Sequence, residues 1–298
     1  MAITGAAQAV SFTLPATTGG TAPVSVACSP ASGSAFPLGT TTVTCTATDA
    51  SSRTAVCGFD VVAKGTQLGA KKFLAVGDST TEGENGLGAQ PLVIAPKWDD
   101  TPNAYPVKLQ ALFDASFPNQ GITVTYPSGI GGTPALQSLA NLPGYLNGAH
   151  PDALLVLTGY NDVLTSCGIG YVSNALCDQA IDDVEAGVRG IIRTAQAFPG
   201  VRYVFVGTLT PGHPGQRYID PLRVQDANEH IRNVVSAEGA TLVDIYPLFL
   251  GHESTYVSPD GLHLLPPGYQ AMAQAFFDKI LATVPQVKPQ SIGLLRGR

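Results

Sequence analysis

Lys72-Phe-Leu-Ala-Val-Gly-Asp-Ser-Thr-Thr-Glu-Gly83 is the stretch around which the chain is organised. Phe73 to Val76 is a short apolar run of the kind that forms a strand buried on both faces of a parallel sheet. It stops at Gly77, and small polar residues follow: Asp78, Ser79, Thr80 and Thr81. A hydroxyl just past a buried strand stands at the mouth of an α/β sheet, where ligands bind. Ser79 is therefore a candidate nucleophile. The same residues also suit a plain turn with Asp78 or Ser79 capping a helix, so the choice depends on what lies downstream.

Downstream, strands and helices alternate. Apolar strands are expected at Phe73–Val76, Ile122–Tyr126, Ala153–Thr158, Tyr203–Gly207 and Thr241–Ile245. Helices are expected at Ala104–Phe117, Ile181–Ala197, Gln216–Ala237 and Pro267–Val284. In the second of these, Val184, Val188, Ile191, Ile192 and Ala195 share one helical face. Such alternation predicts an α/β fold, a five-stranded parallel sheet covered on both sides, over residues 71–284. Residues 285–298, polar, proline-containing and basic, read as a tail.

The first 65 residues differ. They carry two basic and two acidic residues, so the whole net charge of -6 belongs to residues 66–298. Strand-like runs at Val24–Cys28, Thr42–Thr48 and Val56–Val62 are separated by turn residues, with no helical pattern. This spacing indicates a small all-β sandwich over residues 1–65, joined by a linker at 66–70.

The chain is 44% hydrophobic and 13% charged over 298 residues, ample for a core. Its acidity argues against a nucleic-acid partner, and no apolar run is long enough for a transmembrane segment. Met1-Ala-Ile-Thr-Gly5 lacks the features of a signal peptide. The five cysteines contain no Cys-x-x-Cys and no accompanying His cluster, so neither zinc nor another metal is expected. Cys167 and Cys177 bracket a small-residue loop and suit a local disulfide or two reduced thiols. Paired cysteines would favour an exported protein.

A serine nucleophile needs a base, a group to orient that base, and donors for the developing oxyanion. Val257-Ser-Pro-Asp-Gly-Leu-His263 offers the first two. One turn can bring the Asp260 carboxylate to one ring nitrogen of His263, leaving the other for Ser79. Gly159-Tyr-Asn-Asp162 offers the Asn161 amide at a strand tip. Gly131-Gly132-Thr133 offers a backbone N–H from Gly131 or, one position on, Gly132. Each station has a plainer reading as a cap or turn; four in order after successive strands do not. His150, His213, His230 and His252 lack a paired Asp, although His213 follows a strand and is a candidate for the pocket rim. Trp98 lies within, and Tyr105 just after, a polar insertion, Glu84 to Asn103, where an aromatic serves as a substrate platform or simply packs under a loop. Thr81, two residues after Ser79, is not the glycine of a Gly-x-Ser-x-Gly elbow.

These four stations resemble the blocks of the SGNH hydrolases, the Gly-Asp-Ser esterase/lipase superfamily, over about residues 71–284. The resemblance implies a flavodoxin-like three-layer α/β/α fold without cofactor. It implies Ser79 as nucleophile, His263 as base and Asp260 as its orienter. The Ser79 N–H, the Gly131 N–H and the Asn161 side chain would form the oxyanion hole. Thr80 stands where the family often has Leu, and the Asn that often opens the second block is missing near Tyr126-Pro127. Residues 28–50 closely resemble the hyalin repeat, an immunoglobulin-like extracellular module; the resemblance runs from about Val10 to Ala63, and this copy is shortened by the module's first Cys-Pro strand. That resemblance implies a Cys28–Cys57 disulfide, an unpaired Cys45 and an adhesive or spacing role through cell-surface or carbohydrate contact.

The reading is a secreted carboxylic ester hydrolase acting on small-molecule esters of short to medium chain. Its rivals are a polysaccharide acetylesterase and an adhesive surface protein with an inert hydrolase-like domain.

Overall fold

The computed structural model describes residues 7–63, 65–84, 101–127, 131–167, 174–287 and 293–295. The chain forms two compact units. One contains residues 1–68, 114–121 and 286–298; the other contains 69–113 and 122–285.

The first unit is built from β1 (Gln8–Ala9), β2 (Ser25–Ser29), β3 (Ala35–Phe36), β4 (Gly39–Thr48), β5 (Thr54–Ala63) and β6 (Gln67–Leu68). Their pairings are antiparallel. Period-two burial follows the sequence: Val43 and Cys45 of β4 point inward while Thr40, Thr42 and Thr44 are exposed. Val10, Phe12, Phe36, Val43, Cys45, Val61 and Ala63 make the core, with Phe12 edge-on to Phe36 and Phe59.

The disulfide expected between Cys28 and Cys57 is not formed. Cys28 of β2 lies opposite Cys45 of β4, which lies opposite Cys57 of β5. Cys28 bonds Cys45, and Cys57 is a free, exposed thiol. With β4 between them, Cys28 and Cys57 stand two strand spacings apart, roughly 9–10 Å, too far for a disulfide.

The second unit contains β7 (Lys72–Gly77), α1 (Ser79–Glu82), α2 (Tyr105–Ser116, whose last residues count with the first unit), β8 (Thr123–Thr125), α3 (Ala135–Ala149), β9 (Ala153–Leu157) and α4 (Tyr160–Cys167). It continues with α5 (Asn174–Ala197), β10 (Tyr203–Gly207), α6 (Pro221–Ala237), β11 (Thr241–Val243), α7 (Tyr246–Phe249), α8 (Glu253–Tyr256) and α9 (Pro266–Thr283). The five strands pair in parallel in the order β11-β10-β9-β7-β8, the expected flavodoxin-like arrangement. Residues 153–157 of β9 are all buried, as a central parallel strand requires. On one side Phe113 of α2 stacks on Phe73 and tilts against Phe277 of α9. The face of α5 anticipated from its spacing, Val184 to Ala195, is fully buried.

Two expectations need correction. Residues 285–298 are not simply a tail: β12 (Gln286–Val287) pairs with β6, and β13 (Gly293–Leu295) pairs with β5. The helix α3 was not anticipated, because Pro143, Gly144 and Gly148 interrupt its pattern. It forms because Ala135, Ser138, Leu142 and Leu146 make a continuous buried stripe that offsets the hydrogen bond lost at Pro143.

Peptide mapping without reduction should recover Cys28 linked to Cys45 and Cys167 linked to Cys177, with Cys57 alkylated by iodoacetamide. A Cys28–Cys57 peptide would contradict the strand order.

Candidate active site

Ser79 opens the short helix α1 directly after β7. Asp78 is its N-cap, with its carboxylate accepting from the Thr80 N–H at 3.0 Å. Gly77 permits the approach of β9: a Cβ there would lie 2.2 Å from both the Leu157 carbonyl oxygen and Thr81 Oγ1. Gly83 ends α1 at φ 92°, a conformation that favours glycine.

The last expected station lies beside the first. Ser79 Oγ is 2.8 Å from His263 Nε2, and His263 Nδ1 is 2.5 Å from Asp260 Oδ2. Asp260 accepts at Nδ1, so that nitrogen carries the proton and Nε2 is left to accept from the Ser79 hydroxyl. Asp260 Oδ1 also accepts from the backbone N–H groups of Leu262 and His263 at 2.9 and 3.0 Å. Burial pushes the Asp260 carboxyl up, but the His263 hydrogen bond and charge, with those two N–H groups, outweigh it and hold it below 3.8.

The turn carrying this pair is tied down from a second loop. Arg217 N–H donates to the Asp260 carbonyl and His213 N–H to the Gly261 carbonyl. Gly261, at φ +94°, has no room for a side chain: a Cβ would lie 2.4 Å from the His213 carbonyl oxygen. The backbone of half-buried His213 thus supports the site, and its Nδ1 is 3.1 Å from the Pro214 carbonyl oxygen. The guanidinium of Arg217 approaches Asp260 at 4.0 Å.

Asn161 lies in the first turn of α4 rather than at a strand tip. Its Nδ2 stands 3.4 Å from Asp78 Oδ2 and 3.3 Å from the Thr133 carbonyl oxygen. These are long contacts, as expected of an amide not tied to one partner. One side chain thereby links the capping residue beside Ser79 to the turn after β8. In that turn Gly131 is half-buried and Gly132 is exposed at φ +78°. Asp162 caps α3, accepting from the Ala135 N–H at 3.0 Å.

Sequence reasoning gave no role to Asp162, to the Thr133 carbonyl or to Glu84. Glu84 is a second carboxylate at His263, with Oε2 3.5 Å from Nε2. The only signal for these was proximity to a recognised block. Tyr105 proves to be core, stacked on Phe276, and Trp98 lies outside the described residues. His230 pairs with Glu185, His150 stacks on Phe198 and His252 on Tyr256. Among the described residues no cluster of His, Cys, Asp and Glu is arranged to hold a metal ion, and no helix is long and apolar enough to cross a membrane.

A model of the GDSL-like lipase/acylhydrolase family matches residues 75–271, and a model of the HYR domain matches residues 5–63. The chain belongs to the GDSL-like lipase/acylhydrolase family and is a serine esterase. Solved structures share its fold. A GDSL-like lipase from Parabacteroides merdae, so described provisionally, is 17% identical with a TM-score of 0.55, over 72% of this chain and 98% of that one. The lipase/acylhydrolase from Enterococcus faecalis is 18% identical with a TM-score of 0.53, over 74% and 100%. An acetyl xylan esterase variant from Geobacillus stearothermophilus is 20% identical with a TM-score of 0.54, over 70% and 94%. No curated protein matches the chain.

Two tests follow from the packing and charge of this site. Gly77→Ala should lower the unfolding free energy by about 3 kcal/mol, because the added methyl meets a strand carbonyl; denaturant titration measures this. Burial raises the Asp78 carboxyl from 3.8 to about 7, and burial likewise raises Asp162 to about 6. A folded-state carboxyl pKa above the unfolded one means that the folded protein holds more protons between those values. Stability from Asp78 is therefore lost as pH rises from about 4 to 7 and levels off above. Asp78→Asn, whose side-chain oxygen can still accept from Thr80, should show a weaker decline over that window in urea unfolding. Equal slopes in the two proteins would refute the assignment.

Proposed function

We propose that the protein cleaves carboxylic esters by two-step acyl transfer. Ser79 attacks the ester carbonyl while His263 takes its proton, and Asp260 holds the imidazole in the accepting tautomer and stabilises the imidazolium. The protonated His263 then delivers its proton to the departing alcohol. Water repeats the sequence on the acyl-enzyme, and the acid leaves. The Ser79 N–H, the Gly131 N–H and the Asn161 amide receive the oxyanion. The observation that carries this reading is the buried line from Ser79 Oγ through His263 to Asp260, at 2.8 and 2.5 Å.

The substrates proposed are esters of short to medium acyl chains. The HYR domain and the two disulfides support an extracellular setting, with residues 1–65 as a spacing or adhesive module and 71–284 as the hydrolase.

Ser79→Ala should keep the circular dichroism spectrum of the parent and lose hydrolysis of p-nitrophenyl butyrate. Labelling by a fluorophosphonate should disappear with it. Asn161→Ala should lower kcat by about a hundred- to thousand-fold, the usual effect of removing one oxyanion donor. Near-parental turnover in the serine variant, or a folded parent that the fluorophosphonate does not label, would overturn the reading.

A further inference from the structure

Two carboxylates flank the ring of His263, and only one belongs to the line just described. Asp260 holds Nδ1; the Glu84 carboxylate stands 3.5 Å from Nε2, the nitrogen that also faces Ser79 Oγ at 2.8 Å. Glu84 is held in place by its backbone. Its N–H donates to the Ser79 carbonyl at 3.0 Å, and its carbonyl accepts from the hydroxyl of buried Tyr269. Gly83 at φ 92° sets the chain direction between α1 and Glu84. The Glu84 side chain is 21% exposed, so it is partly open to solvent.

In ester cleavage Nε2 returns its proton to the leaving alcohol, whose oxygen must come within hydrogen-bond reach of that nitrogen. The Glu84 carboxylate then stands beside the alcohol half of the ester. An ionised carboxylate only accepts hydrogen bonds and repels other anions. We propose that Glu84 is a specificity-determining residue on the alcohol side. It accepts hydrogen bonds from hydroxyls next to the ester oxygen and turns away anionic alcohols, so the favoured substrates are esters of uncharged, polyhydroxylated alcohols. This inference rests on the ester-hydrolase reading.

The test compares kcat/KM, by acetate release from the full chain, for 1-acetylglycerol, n-propyl acetate and O-acetylglycolate. These share an acyl group and differ in the alcohol: polyhydroxylated, apolar and anionic. The parent should prefer 1-acetylglycerol. Glu84→Leu should reduce the 1-acetylglycerol to propyl acetate ratio about tenfold or more, the worth of one hydrogen bond to a charged group. Both Glu84→Leu and Glu84→Gln should raise the O-acetylglycolate to propyl acetate ratio several-fold. Glu84→Gln keeps the shape and removes only the charge, so it serves if the leucine variant does not fold.

Ratios unchanged within twofold would overturn the proposal. So would an equal fall on all three esters, because Glu84 would then act only through His263. If Ser79 is labelled by a fluorophosphonate and the parent releases acetate, unmoved ratios sink this inference alone. If the folded parent neither labels nor releases acetate, the hydrolase reading falls and takes the inference with it.

Discussion

A carboxylate buried beside an imidazole has to be satisfied at every acceptor position, and the surroundings of Asp260 are arranged by that demand. One oxygen meets His263 Nδ1 and the other accepts two backbone N–H groups of the same turn. Leaving such a charge short of partners would cost several kcal/mol. The turn must therefore close tightly, with Ser258 N–H on the His263 carbonyl and Gly261 N–H on the Ser258 carbonyl. Its outer side is clasped by the backbone of His213 and Arg217 from the loop after β10. The ring of His263 has little freedom once these bonds are made, and its second nitrogen points at Ser79.

The sheet supplies the other half of the arrangement. With β7 between β8 and β9, the loops leaving three neighbouring strands emerge together at one edge. Ser79, the Gly131–Thr133 turn and Asn161 are thereby brought into one neighbourhood from positions far apart in the chain. Asn161 reaches both of the others, at Asp78 and at Thr133. The buried Asp78 is held there despite a raised pKa of about 7, a cost accepted beside Ser79.

Much of this was legible in the residues. The apolar runs located all five parallel strands to within a few positions, because a strand buried on both faces has no choice but to be apolar. Ser79, Asp260, His263 and Asn161 were singled out because each is a chemically capable group just past a strand or in a Pro/Gly-flanked turn. The helix α3 escaped notice because its local propensity is poor and only its burial against neighbouring elements stabilises it. The Cys28–Cys45 pairing escaped because it depends on which strands become neighbours, and no single stretch of β2, β4 or β5 carries that information.

From its own order of residues the chain determined the alternation of strands and helices, the neutral all-β module before them, and the candidate hydroxyl, imidazole and carboxylate of the site. Those are local properties, set by side-chain polarity and backbone preference over a few positions. Tertiary structure alone decided that an imidazole 184 positions from Ser79 would lie 2.8 Å from its hydroxyl, and that Glu84 would face the same nitrogen. Distances of that kind arise from strand order and the closing of loops, which depend on contacts between segments remote in the chain.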